Sequence, residues 1–201
     1  MSAFPTIVRR YASISSGIVA LVFAGALAAR AEVYADDPNP RDPNRAAIMA
    51  LAADLAPIAK AFGCEFGWGQ LSDSSSASLE FVPKGDDVRN WKRLLTITTV
   101  ALPSDAAGQI QLMNRLQAIT LNNFSTRGSA HDLKRGENPK GMPALYFEYE
   151  IGEAAQKEYG IAGVYKVRSN MAAIVQIQSH KTLARGDATK MSALATPASK
   201  N

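Results

Sequence analysis

Cysteine is almost missing from this 201-residue chain: Cys64 stands alone, so no intramolecular disulfide can form and the fold must stand on its apolar core. A single such thiol reads as buried and inert. Histidine is nearly as scarce, with His131 and His180 as the two representatives. Metal centres need several His, Cys or carboxylate ligands at workable spacing, and these three residues are far apart in sequence, so no metal site is expected. There is no Gly-x-Ser-x-Gly elbow and no cysteine motif with glycine and aromatic neighbours. Walker-type and dinucleotide glycine fingerprints are missing too, so no cofactor is expected. These absences remove the common routes to nucleophilic and nucleotide chemistry, and the chain reads as a non-enzyme.

Long apolar runs are also lacking. The best is Ile18 to Ala29, shorter than the roughly 20 residues that span a bilayer. It follows Arg9 and Arg10 and ends at an Ala29-x-Ala31 site, the three parts of a secretory signal peptide cleaved after Ala31. The expected location is therefore the periplasm or the exterior. Nineteen of the 22 Lys and Arg, and all 18 Asp and Glu, lie beyond residue 31, a net charge of +1 there. A concentrated positive face for nucleic acid has no support in that balance.

What is present points to an α+β domain. Residues 32–63 read as a flexible leader, Glu32 to Asn44, followed by an accessory helix. Asp42-Pro43 looks like its start, Ile48, Leu51 and Leu55 give it helical spacing, and Pro57 bends or ends it. Residues 64–181 carry the main domain. Cys64 to Gly69 reads as a first strand with Phe66 and Trp68 on one side, and the Ser-rich Leu71 to Ser78 as a solvated loop. Leu79 to Val82 and Leu95 to Val100 flank a polar turn and Trp91, a strand pair. Ser104-Asp105 then caps a helix to about Asn123, whose stripe is Ile110, Met113, Leu116, Thr120 and Phe124, widened by Leu112 and Ile119. A short strand is expected near Ala130 to Lys134. Ala144 to Gly152, Ile161 to Arg168 and Met171 to Ser179 are the clearest strands. Residues 182–201 form a weak helix near Asp187 to Leu194 and a fraying tail.

Alternation sorts the faces of these last strands. Leu145, Phe147, Tyr149 and Ile151, Tyr165 and Val167, and Val175 and Ile177 are assigned to one buried face. Glu148 and Glu150, Lys166 and Arg168, and Gln176 and Gln178 are assigned to a polar face, where the glutamates pair with the basic residues across strands. The expected architecture is an antiparallel sheet with one main helix packed on one face.

A strand pair, a helix and a strand meander resembles the PsbP-like sandwich. The segment LEFVPKGDDVRNWKRLLTI also resembles small exported proteobacterial proteins of uncharacterised function, over about Phe66 to Leu194. The resemblance implies a non-catalytic, interaction-type domain with no catalytic residue to carry over. The expected function is an exported domain that binds a protein partner or cell-envelope component through Trp68, Trp91 or the mixed-charge face of Glu148, Glu150, Lys166 and Arg168. Two alternatives stand beside it. One is a periplasmic hydrolase using His131 or His180 with nearby carboxylates. The other is a carrier of a small apolar ligand, held in a cavity under the helix Asp105 to Asn123. The Arg185-Gly186-Asp187 tripeptide is ordinary turn punctuation.

Overall fold

The computed structural model describes residues 32–35, 43–73, 76–137, 142–152, 157–184 and 186–195. The expected signal segment, the stretch 36–42 and the tail beyond Ala195 lie outside the described residues. Eight strands form one antiparallel sheet: β1 (Glu32–Tyr34), β2 (Cys64–Asp73), β3 (Ser76–Pro83), β4 (Arg93–Ala101), β5 (Gly128–Glu137), β6 (Pro143–Ile151), β7 (Glu158–Arg168) and β8 (Met171–Ser179). Their spatial order is β1-β2-β3-β4-β8-β7-β6-β5. Among the described residues three helices, α1 (Pro43–Ala61), α2 (Ala106–Arg127) and α3 (Asp187–Ala195), complete the α+β fold. None of them is long and apolar enough to cross a membrane.

The sheet is covered on both faces, which corrects the expectation of one greasy and one polar side. On one face α2 packs Met113, Leu116 and Phe124 against Leu145, Phe147, Tyr149, Val164 and Ile174. On the other, α1 and α3 pack Leu55, Phe62 and Met191 against Leu79, Phe81, Leu95, Tyr165, Val175 and Ile177. Tyr165, Val175 and Ile177 therefore lie opposite Leu145 and Phe147, because antiparallel register, and not strand-by-strand alternation, decides which face two strands share. Gly163 pairs with Val175 while Leu145 pairs with Val164. Gln176 and Gln178, expected in solvent, are buried under α2 instead.

α1 is consequently no accessory. Ile48, Ala52, Leu55, Ala59 and Phe62 recur at helical spacing and are all buried. At Gly69 a Cβ would stand 2.6 Å from Ile48 Cγ2, so the bare glycine lets the helix lie directly on β2. The helix runs through Pro57 without stopping there. Arg93 fastens this face: one guanidinium nitrogen donates to Phe62 O at 2.8 Å, the other to Asp187 Oδ1 at 2.5 Å, tying the end of α1 to the start of α3. Asp187 is 1% exposed, so the Arg-Gly-Asp tripeptide does not present its carboxylate to solvent.

Other expectations shift locally. The leader begins as β1, paired with Gly69 and Trp68. The described parts of the Ser-rich run belong to the paired strands β2 and β3, with Ser76, Ala77 and Ser78 buried and the Ser78 and Thr98 hydroxyls 3.4 Å apart. A bulge between Phe66 and Trp68 sends these rings to opposite faces. In α2, capped by Asp105 accepting from Gly108 N at 2.7 Å, the buried stripe includes Gln109, Gln117 and Asn123, and Ile110 is exposed. β5 is longer than expected, and its exposed, charge-rich sequence suits an edge strand that must resist pairing with another chain.

Two tyrosines lie flat across glycines, one on each face: Tyr149 over Gly160 and Tyr165 over Gly163. A methyl group at Gly160 would overlap the Tyr149 ring. Gly160→Ala is expected to destabilise the protein by about 1–3 kcal/mol, read as a lower urea midpoint. Glu158, buried beneath α2, has its carboxyl raised by desolvation, with Arg127 opposing. Its protonated form is favoured by folding, so stability falls as pH rises through the carboxylate range. Glu158→Gln should therefore melt higher than the parent at pH 7–8, with the difference disappearing below the ordinary glutamate range; a pH-independent difference would contradict this.

Candidate binding cleft

An apolar recess lies beside α1, where the helix passes over the start of β2 and the end of β3. It measures about 840 Å³. Its existence follows from composition: the helix wall is Ala52, Ala53, Ala56 and Pro57, whose short side chains leave the space that leucines would fill. The floor is Phe66 and Phe81, edge to face with centroids 6.0 Å apart. Cys64 closes the floor, with its thiol 3.7 Å from Phe62 O. Burial pushes that thiol upward, with Arg93 partly opposing, so it stays protonated and serves as packing. Cys64 pairs with Pro83, which brings Lys60, Glu65 and Lys84 to the same end of the recess, and all three are exposed.

A smaller recess of about 210 Å³ lies at the other edge of the sheet, lined by His131, Glu148, Glu150, Tyr159 and Thr182. His131 faces Glu148 across β5 and β6. A bulge follows His131, and Asp132 takes a left-handed φ of 50°, which turns its carboxylate back to 3.2 Å from His131 Nδ1. One ligand atom from each of His131, Asp132 and Glu148 lies within 4.8 Å of the others. The histidine and the aspartate are exposed, and hydration competes for such a group. Glu150 is engaged by Lys157 at 2.5 Å, which raises that ammonium. Among the described residues, no serine, threonine or cysteine is hydrogen-bonded to His131 or His180. A histidine beside a carboxylate is thus present, with no hydroxyl or thiol hydrogen-bonded to it among the described residues.

The residues singled out from sequence do not converge. Trp68 is half-buried at the β1–β2 edge, 6.5 Å from Tyr34. Trp91, also half-buried, stacks on His180 at 4.3 Å with planes 12° apart. The expected ladder of opposite charges does not form: Glu148 faces Ile161 and Glu150 faces Tyr159, while Lys166 faces Ala172. Lys166 instead donates to Gln109 Oε1 on α2 at 2.6 Å. Arg168, displaced by a bulge after Lys166, pairs with Asp54 on α1 at 2.7 Å, on the opposite face. The cavity expected under α2 is filled by Met113, Leu116, Phe124 and Phe147. The recess under α1 is not among the sequence expectations; its signal in the sequence is the alanine run with Pro57.

Comparison of the sequence with protein-family models and with curated proteins finds no match.

The floor assignment has a chemical consequence. In the native protein at pH 8, Cys64 should react with a disulfide reagent far more slowly than in urea, on the order of a hundredfold, since both burial and the raised thiol act against the thiolate. A native rate equal to the unfolded rate would place the thiol in solvent.

Proposed function

We propose that this chain is an exported, non-catalytic binding domain of PsbP-like architecture, and that the recess beside α1 holds an apolar portion of a cell-envelope component. The observation that carries this reading is the recess itself: about 840 Å³, walled by alanine, proline and phenylalanine, within the roughly 300–1,000 Å³ typical of ligand pockets. The export assignment rests on the sequence of residues 1–31, and the kinship on the order of strand pair, helix and meander. The non-catalytic assignment rests on the sequence, which carries no catalytic motif.

This reading relocates the carrier idea from α2 to α1 and replaces the tryptophans and mixed charges as the contact surface. It also gives the alanine content of the helix a physical purpose. Short side chains on a helix that otherwise packs tightly at Ile48, Leu55 and Phe62 make a groove without loosening the core.

A neutral apolar fluorophore such as N-phenylnaphthylamine should bind the purified full-length protein with enhanced emission. Ala53, exposed in the recess wall, can be enlarged without entering the core. Ala53→Trp is expected to weaken binding by about tenfold, about 1.4 kcal/mol, while shifting folding stability by no more than ~0.5 kcal/mol. Unchanged fluorophore affinity in a folded Ala53→Trp protein would refute the recess as the binding site.

A further inference from the structure

We infer that the occupant of the α1 recess is a single-chain anionic lipid, a long-chain fatty acid, with its carboxylate at the Lys60–Lys84 end. The inference rests on the proposed function above and deepens it. Three observations carry it. The helix wall extends from Met49 to Lys60, about 16 Å at 1.5 Å per residue. That is close to one acyl chain of a bilayer leaflet, half of its roughly 30 Å hydrocarbon core. The walls between are apolar throughout: Ala53, Ala56 and Pro57 on one side, Phe66 and Phe81 on the other.

The third observation is the charge at one end. Lys60 ends the helix wall and Lys84 follows β3, and the pairing of Cys64 with Pro83 sets them at the same end. Glu65 lines that end too, leaving one net positive charge. Such a mouth favours one anionic head on an apolar tail and disfavours an amphiphilic cation. Toward the other end, next to Met49 of the wall, Ile48 is seated on Gly69 and brings the helix down onto the strand. An apolar groove with a net positive charge at one end fits a molecule with one chain and one acidic head.

The test is a titration of the full-length protein with lauric, myristic and palmitic acids and with the alcohols of the same chain lengths. Affinity should rise about fourfold per buried methylene and level off once the chain exceeds the groove. Each acid should bind more tightly than its alcohol, and K60Q/K84Q should reduce that preference by up to about fivefold. Ala53→Trp in the same chain should weaken every ligand, which separates the groove from uptake by the apolar run at residues 18–29. Acids and alcohols binding equally, with no effect of K60Q/K84Q but full sensitivity to Ala53→Trp, would overturn the fatty-acid assignment and leave the recess intact. Binding that ignores Ala53→Trp would overturn both.

Discussion

The junction of β4 with β8 holds the two halves of this molecule together. Strands distant in sequence pair along their whole length, from Arg93 opposite Ser179 to Ala101 opposite Met171. On one side of this seam lie β1–β3, on the other β5–β7. Both strands are buried on both faces, so each residue must suit one of two different cores. Ile97 and Val175 meet in the core under α1, whereas Val100 and Ala172 meet in the core under α2. A one-residue slip would exchange every side chain between the two cores. The position of both helices, and therefore of the recess, follows from this register.

The two faces are unequal. Eight buried side-chain polar atoms have no hydrogen-bond partner among the described residues, and all belong to the α2 side. They come from Gln117, Thr120 and Asn123 of the helix, from Trp68, Ser76, Thr96 and Gln178 of the sheet, and from Glu158, whose strand position is shared with Ala162 and Val164. Some of the groups that do pair there form a chain: Gln176 donates to Tyr149 Oη at 2.7 Å, and Tyr149 donates to Gln178 Oε1 at 3.1 Å. An unmet buried polar group costs about 1–3 kcal/mol. The α1 side, built from aliphatic and aromatic contacts with Arg93 as its clamp, supplies the firmer half of the sandwich.

How much of this was legible in the sequence follows from the same asymmetry. β3, β4, β6, β7 and β8 could be read because β-branched and aromatic runs are bounded by turn residues, and α2 because Asp105 caps an amphipathic stripe. Faces were harder. Alternation within β6 is clear, but nothing within β8 says whether Val175 shares a side with Phe147; only register decides, and register is a property of pairs. Bulges hide equally well. The one between Phe66 and Trp68 separates two rings that strict alternation would join, and the one after Lys166 sends Arg168 to α1. Alternation sets Gln176 and Gln178 opposite Val175 and Ile177 and so points them to solvent, yet both are buried because α2 covers that face of the sheet, and their partner there is Tyr149 of β6. The candidate site is hard to read for a different reason: a recess is defined by side chains that are too small, and the alanine run with Pro57 shows small volume without showing that Phe66 lies across from it.

That missing volume bears on why the recess matters. A helix lying on a sheet gains about 25 cal/mol for each Å² of apolar surface it removes from water. Leucine at Ala53 or Ala56 would cover the half-buried ring of Phe66 and extend the core over the groove. The chain already places Leu55 and Phe62 where the same helix meets the centre of the sheet, so tight packing is within its reach one turn away. Small residues on the flank thus forgo stabilisation that the neighbouring stripe obtains. Nor does Pro57 act as a helix stop, since α1 continues to Ala61; it gives up one backbone hydrogen bond and adds a rigid apolar surface to the wall. Two departures from best packing, on one flank of one helix, combine with a floor of aromatic rings and a basic end. As a device for holding the helix down this arrangement is poor, and as a seat for an apolar chain it is coherent.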